Sequence, residues 1–234
     1  ASNRETTEEE DSIYCLLGIL NVSLTPSYGE GKENALRRLQ LEIELGSSAP
    51  AIIPFAQNDN FIGRESELTK LEERLFRDEA TRFVVIVGPG GIGKSQLALE
   101  FAYQTRRKKR SCSVFWVDAS DMDRFDQGYL NIAKKLNIRG WDDEKTDIKQ
   151  LVKYYLSRET AGQSLLILDN IDSVHLRSNG LSTSQTTNLT DYLPQSILCS
   201  IVLTTTNRDT AKKLVRENSL VQLVNIGEIT PDTA

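Results

Sequence analysis

The stretch that decides the fold of this chain reads Gly88-Pro89-Gly90-Gly91-Ile92-Gly93-Lys94-Ser95. It fits the phosphate-binding loop pattern G-x-x-x-x-G-K-S/T at every fixed position. The apolar run 83–87 before it predicts a buried strand, and the residues 96–102 after it predict a helix. This order of strand, loop and helix is the context in which the pattern indicates a nucleotide site.

The residue types of the loop suit phosphate chemistry. Glycines let the backbone curl so that its N–H groups point at phosphate oxygens. The start of the following helix adds a partial positive charge. Lys94 is predicted to reach the β- and γ-phosphates, and Ser95 is predicted to hold Mg²⁺. We therefore expect the loop, together with Gln96, to bind a nucleotide.

Composition excludes several classes of protein. The 234 residues are 39% apolar and 26% charged, which is ordinary for a globular protein. A net charge of −5 argues against nucleic-acid or membrane partners. The longest apolar run, 13–20, is too short to span a bilayer, and there is no secretory signal. The sequence therefore predicts no membrane span and no nucleic-acid partner.

The cysteines and the chain start give two further expectations. Cys15, Cys112 and Cys199 are far apart and odd in number, so they form neither a disulfide framework nor a metal motif. A reducing, cytoplasmic compartment is the natural inference. The chain begins with Ala1 and its only methionine is Met122, so we expect a fragment, a processed chain or an incomplete gene model.

Four segments are predicted along the chain. Residues 1–10 form an acidic leader that we expect to be disordered, and residues 11–45 a small helical segment. Residues 46–60, rich in Gly, Ser, Ala and Pro, are predicted to be a linker. Residues 61–234 alternate strand and helix signals, which predicts an α/β sandwich of three layers around a mostly parallel, five-stranded sheet.

The predicted elements of the last segment can be stated by range. The strands are 83–87, 114–118, 165–169, 201–205 and 220–224, and the helices are 94–103, 127–136, 146–158 and 208–215. In a parallel sheet of this kind, ligands bind at the carboxyl ends of the strands. Gly88 follows such an end.

A second anchor for Mg²⁺ is predicted at the end of another strand. The run Leu165-Leu166-Ile167-Leu168-Asp169 is apolar and ends in a carboxylate, as phosphate chemistry requires. The alternative is an ordinary strand whose aspartate caps the next turn. The following residue, Asn170, is not an acid, so we expect slow hydrolysis, with Asp172 as a partial substitute in a catalytic role.

A third strand end carries a candidate sensor of the γ-phosphate. Strand 201–205 runs into Thr206-Asn207-Arg208. A guanidinium group pairs well with phosphate oxygens, so Arg208 is the third candidate catalytic residue, beside Asp169 and Asp172. The alternative is a helix N-terminal residue that faces solvent.

Together these pieces resemble the NB-ARC domain, the nucleotide-binding switch of NOD-like receptors, plant resistance proteins and apoptosome scaffolds, within the STAND class of P-loop NTPases. The resemblance spans residues 61–234. The matching motifs are Phe61-Ile62-Gly63-Arg64-Glu65, the loop 88–95, Phe115-Trp116-Val117-Asp118-Ala119, the strand 166–170 and the run 204–208. The resemblance implies ATP and ADP as ligands, adenine contacts from Ile62 and Arg64, and homo-oligomers of the full-length protein.

The chain departs from the family in two respects. Asn170 replaces the acid that is commonest in plant members. The chain also ends at Ala234, where the helical lid of the family would begin, so we expect the lid, the winged-helix domain and its nucleotide-contacting histidine to be missing. The only histidine, His175, is predicted to lie at the surface.

The first block resembles a different family. Residues 12–20, 26–32 and 35–40 are similar to the end of a fungal heterokaryon-incompatibility (HET) domain, whose core is missing. From the residues alone we expect two helices joined by a Gly-rich turn. The resemblance implies a fungal receptor of cell death or self-recognition.

Three functions stay open on the sequence. The first is a regulatory switch that binds ATP or ADP and hydrolyses ATP slowly or not at all. The second is a working ATPase of motor or remodelling type. The third is an interaction module that has kept the fold without its ligand, which the intact loop, Asp169 and Arg208 argue against.

Overall fold

The computed structural model describes residues 9–17, 24–46, 49–77, 82–143, 145–172, 189–217 and 221–227. Two compact units divide the chain, residues 1–48 and residues 49–234. His175 and the chain end at Ala234 lie outside the described residues. Within the described ranges, no helix has the length and apolar character needed to cross a bilayer.

The first unit contains two described helices, α1 (Asp11–Tyr14) and α2 (Lys32–Gly46). They share a small core of Ile13, Tyr14, Ala35 and Leu39. The turn between them uses positive φ angles at Gly29 and Gly31, a backbone conformation that glycine adopts without strain. The two predicted helices and their glycine-rich turn are therefore present.

Glu10, the last residue of the predicted leader, is anchored to the first unit. Its side chain is buried, and its Oε1 accepts the backbone N–H groups of Gly29 at 3.0 Å and Gly31 at 2.8 Å. These bonds hold the start of α1 against the glycine turn. Residues 1–8 lie outside the described residues.

The second unit is built on a parallel sheet of six described strands, with the order β1-β3-β4-β5-β2-β6. The strands are β1 (Ala51–Ile52), β2 (Phe83–Val87), β3 (Ser113–Asp118), β4 (Ser164–Asp169), β5 (Cys199–Thr205) and β6 (Val221–Asn225). The helices are α3 (Glu65–Glu72), α4 (Lys94–Lys108), α5 (Met122–Lys135), α6 (Ile148–Leu156) and α7 (Arg208–Glu217). Short turns of other helix types span Glu73–Arg77, Glu159–Ala161 and Leu189–Tyr192.

The strand count differs from the predicted five because β1 lies inside the segment predicted as a linker, 46–60. Ala51 and Ile52 pair with Val114 and Phe115 of β3 at the edge of the sheet. Pro50 and Pro54 bound this apolar pair, and proline cannot donate a ladder hydrogen bond. The strand is therefore short. It was not predicted because the prolines on either side of it are typical of a linker.

Core residues cover both faces of the sheet, which confirms three layers. On β2, Val85 and Val87 belong to the cluster that includes residues of α5, α6 and α7, whereas Val84 and Ile86 belong to the cluster with α3 and α4. Side chains alternate between the faces of a strand. All five residues of β2 are buried, as expected for a strand that is covered on both sides.

Gly128 allows α5 to approach the sheet closely. A Cβ atom at this position would lie 2.6 Å from Val117 Cγ1 on β3. Helix propensity alone predicts that Gly128→Ala gains about 0.5–1 kcal/mol, but overpacking of a core costs about 1–3 kcal/mol. We expect a net loss of about 1 kcal/mol in unfolding free energy, measured by urea denaturation.

The control for this substitution removes the opposing methyl groups. In the double variant Val117→Ala/Gly128→Ala, the loss should be smaller than the sum of the two single losses, because the contact is gone. A Gly128→Ala protein that is more stable than wild type would contradict the predicted steric conflict.

Candidate nucleotide-binding site

The loop 88–95 lies between the end of β2 and the start of α4, as predicted. A Cβ atom at Gly88 would lie 2.8 Å from the carbonyl oxygen of Ile226, so only glycine fits without a shift. Gly91 and Gly93 have φ angles of 77° and 97°, in the left-handed region that favours glycine. Gly88, Gly91 and Gly93 therefore each have a structural reason to be glycine.

Lys94 binds the backbone of the phosphate loop through its ammonium group. Its Nζ donates to the carbonyl oxygens of Gly88 at 2.9 Å and Pro89 at 2.8 Å, and the side chain is buried. An ammonium group has three N–H donors, so one remains for a phosphate oxygen. Burial lowers the pKa of Lys94, although the nearby carboxylates of Asp172 and Asp169 act in the opposite direction.

Ser95 and Asp169 meet at the ends of α4 and β4. Ser95 Oγ donates to Asp169 Oδ1 at 2.8 Å, and Thr204 Oγ1 on β5 donates to the same oxygen at 2.5 Å. The structure thus brings together the two residues that the sequence predicts as Mg²⁺ ligands. Hydroxyl and carboxylate oxygens are hard donors of the kind that Mg²⁺ prefers.

Ser95 and Asp169, the two residues predicted to hold Mg²⁺, each supply an oxygen donor. Mg²⁺ is typically bound by one or two carboxylates and completes its shell with water and phosphate oxygens. Ser95 and Asp169 would hold the ion, and the ion would neutralise developing charge on the phosphates.

Asp172 accepts hydrogen bonds from residues at the end of β5. Its carboxylate accepts from the hydroxyls of Thr205 and Thr206, the latter at 2.6 Å, and from the backbone N–H of Thr206 at 3.2 Å. Burial raises the pKa of Asp172, but these hydrogen bonds outweigh it and lower the pKa below its ordinary value. Asp172 therefore joins two strand ends, and its catalytic role stays a prediction.

Asn170 directly follows Asp169, the last residue of β4, and lines the same cavity as Lys94 and Ser95. Its φ angle is 63°, a conformation that asparagine adopts more readily than most residues. Its backbone N–H donates to Thr204 Oγ1 at 2.8 Å. Asn170 thus bonds through its main chain to the same threonine that contacts Asp169.

Arg208 is the first residue of α7 and is exposed. The helix is capped by Asn207, whose Oδ1 accepts the backbone N–H groups of Asp209 at 2.8 Å and Thr210 at 3.1 Å. Arg208 is not among the described residues that line the cavity beside the loop. Its role as a γ-phosphate sensor stays a prediction.

The two residues predicted to contact adenine differ in their surroundings. Ile62 is 70% exposed. Arg64 is buried, and its guanidinium donates to the carbonyl oxygens of Ile92 at 3.2 Å and Gly227 at 2.7 Å and pairs with Glu67 at 3.1 Å. Arg64 therefore joins the phosphate loop to the end of β6, and base contact by either residue stays a prediction.

A cavity of about 610 Å³ opens beside the phosphate loop. Its described lining includes Lys94, Ser95 and Asp169 and continues past β4 to the end of β3 and to α5. Ile62 and Arg64 are not among the described lining residues. The cavity thus extends along the sheet toward the edge strand β1, on the side of the loop away from β6.

Sequence reasoning missed two charged residues in this cavity, Asp118 and Arg124. Arg124 NH1 donates to Asp118 Oδ2 at 2.8 Å, and the backbone N–H of Ser120 donates to Asp118 Oδ1 at 2.9 Å. Burial raises the pKa of Asp118, but these partners outweigh it and lower the pKa, so the group is ionised at neutral pH. The available signal was an aspartate that ends an apolar strand, as Asp169 does.

Comparison with curated proteins identifies fungal relatives. The chain is 41% identical over 168 residues to a nucleotide-binding leucine-rich repeat (NLR)-like protein of Hyaloscypha variabilis, a match that covers 68% of this chain and 17% of that protein. It is 58% identical over 40 residues to the vegetative incompatibility protein HET-E-1 of Podospora anserina, covering 17% of this chain and 3% of that protein. The chain thus spans only a small part of the length of these relatives.

Solved structures of similar shape are more distant. Cdc6p of Pyrobaculum aerophilum gives a TM-score of 0.49 at 15% identity, covering 73% of this chain and 47% of that one. The ORC2 protein of Aeropyrum pernix gives a TM-score of 0.44 at 14% identity, and the match covers 72% of this chain and 50% of that one. A likeness this weak carries no functional conclusion for the chain.

The family model that matches is the NB-ARC domain, over residues 64–228. The match includes the phosphate loop, Asp169 and Arg208, and the NLR-like relative agrees with it. The predicted remnant of a HET domain in residues 11–45 is not borne out by these matches and stays a prediction. The P-loop geometry, the parallel sheet and the family match together show that the chain belongs to the NB-ARC domain family, as a nucleotide-binding, NLR-like module.

Proposed function

We propose that this module is a regulatory switch that binds ATP and ADP with Mg²⁺ and hydrolyses ATP slowly or not at all. The observation that carries the proposal is the contact between Ser95 Oγ and Asp169 Oδ1, made at the mouth of the phosphate loop. The two predicted Mg²⁺ ligands and Lys94 line one cavity, which supports the proposal. The adenine preference rests on the family alone.

The slow rate is supported by the residues around Asp169. Asn170 has no carboxylate, and its main chain is turned by a positive φ angle. Asp172 accepts hydrogen bonds from Thr205 and Thr206. Neither residue offers an unengaged acid next to the Mg²⁺ strand, which favours the switch over a working ATPase of motor or remodelling type.

A switch requires that ATP and ADP have different affinities for two conformations. We propose that ADP holds a closed state and that ATP favours an oligomeric signalling state of the full-length protein, in the cytoplasm. The NLR-like relative has many residues beyond the stretch matched by this chain.

The proposal is tested by ATP cleavage over time, with Mg²⁺ and ATP in large excess over the 234-residue chain. We expect at most about one equivalent of ADP per protein, with nucleotide still bound, and weaker ATP binding when EDTA removes Mg²⁺. Sustained turnover at roughly 1 s⁻¹ or faster, as in working enzymes, would favour the ATPase instead. Absence of ATP binding would contradict both.

A further inference from the structure

The carboxylate of Asp118 lies beside that of Asp169 at the carboxyl edge of the sheet. The two residues end the neighbouring parallel strands β3 and β4 and are direct partners in the register. Neighbouring strands lie about 4.8 Å apart, and partners in register direct their side chains to the same face. Both side chains line the cavity that contains Lys94 and Ser95.

The other acidic groups near the loop have different partners. Asp169 accepts hydrogen bonds from the hydroxyls of Ser95 and Thr204, and it is the predicted Mg²⁺ ligand. Asp172 receives the hydroxyls of Thr205 and Thr206 and is not among the described residues that line the cavity. Among the described lining residues, Asp118 is therefore the one carboxylate besides Asp169.

The Asp118 carboxylate is held in place from two directions. Ser120 binds one oxygen through its backbone N–H, and Arg124 binds the other oxygen through its guanidinium. Arg124 also pairs with Asp121 at 3.2 Å, which fixes the guanidinium at the start of α5. Each carboxylate oxygen accepts about two hydrogen bonds, so capacity remains for a water molecule in the cavity.

We infer that Asp118 orients the water that attacks the γ-phosphate of ATP and accepts its proton, an inference that rests on the proposed nucleotide binding. A bond forms between the water oxygen and the γ-phosphorus. The bond from that phosphorus to the β,γ-bridging oxygen breaks, and its electron pair leaves with ADP. The proton passes to Asp118 and then to solvent, so the products are ADP, phosphate and a proton.

This assignment agrees with the proposed slow cleavage, because the residue after Asp169 is Asn170 and not an acid. Asp118 is a shorter acid than glutamate, and its partner Arg124 competes with water for one carboxylate oxygen. Asp118 would therefore be a base of limited efficiency.

The test is single-turnover cleavage, with the 234-residue chain in excess over ATP labelled in the γ-phosphate, beside separate titrations with ATP and ADP. Asp118→Asn retains the shape and an oxygen for the Ser120 N–H. We expect the cleavage rate to fall about 100-fold, the lower range for loss of a general base, with dissociation constants within about twofold of wild type. Asp123→Asn is the matched control: Asp123 is exposed, lies in α5 and is not among the described residues that line the cavity, so this variant should cleave at the wild-type rate.

Asp118→Glu is a second test, which keeps the inference testable if the Asp118→Asn protein does not fold. It retains a carboxylate that is displaced by one methylene, so it should cleave about tenfold more slowly than wild type while binding ADP normally. An Asp118→Asn protein that cleaves within about threefold of wild type, or a wild type that binds ATP and never cleaves it, would overturn the inference and leave nucleotide binding intact. A wild type that does not bind ATP would overturn the proposed function and this inference with it.

Discussion

Lys94→Ala should reduce ATP affinity by about 100-fold or more. Lys94 holds the carbonyl oxygens of Gly88 and Pro89 and retains one N–H for the phosphates. A hydrogen bond to a charged group contributes about 1.5–3 kcal/mol, and the electrostatic attraction of a buried ammonium adds to it. A combined loss of about 3 kcal/mol corresponds to a little more than 100-fold in the dissociation constant.

Calorimetric titration with ATP, ADP and adenosine measures this effect and localises it. The affinity for adenosine, which has no phosphate, should be unchanged in Lys94→Ala. Lys108→Ala is the matched control, because Lys108 lies on the same helix but is exposed and pairs with Glu72 at 2.6 Å. Equal ATP affinity in wild type and Lys94→Ala would contradict the assignment of the loop as a phosphate site.

The layered sheet could be predicted from the sequence because its strands carry their own signal. The runs 83–87, 165–169 and 201–205 are apolar almost throughout, as strands covered on both faces must be. Helix ends were less well predicted. Helix α4 continues to Lys108, five residues beyond the prediction, because basic residues at a helix C-terminus are favoured by its dipole.

The meeting of Asp118 with Asp169 could not be predicted, because it depends on strand order. The order β1-β3-β4-β5-β2-β6 is not the order along the chain. Only when β3 lies next to β4 does Asp118 come beside Asp169. A sequence motif records residues that are close along the chain, whereas these two carboxylates are brought together by the crossover that joins β3 to β4.

Arg64 is the opposite case, because the family resemblance and the structure indicate different roles for it. The resemblance implies a base contact. In the structure, the guanidinium is bound to the carbonyl oxygens of Ile92, in the phosphate loop, and Gly227, after β6, as well as to Glu67. Its backbone has a φ angle of 66°, and it precedes the first residue of α3. A buried side chain with three partners from separate elements is expected to stabilise the fold.

Arg64→Ala should therefore lower the free energy of unfolding by about 3 kcal/mol, roughly 1 kcal/mol for each hydrogen bond. Arg74→Ala is the matched control. Among the described residues, Arg74 donates one hydrogen bond, of 2.9 Å, to the carbonyl oxygen of Leu223 in β6, and its loss should cost about 1 kcal/mol. Urea denaturation of both variants measures the difference. Adenosine titration of Arg64→Ala separates the two roles, because a base contact lowers that affinity and a purely structural role leaves it within about twofold. An Arg64→Ala protein within about 0.5 kcal/mol of wild type would contradict the structural role.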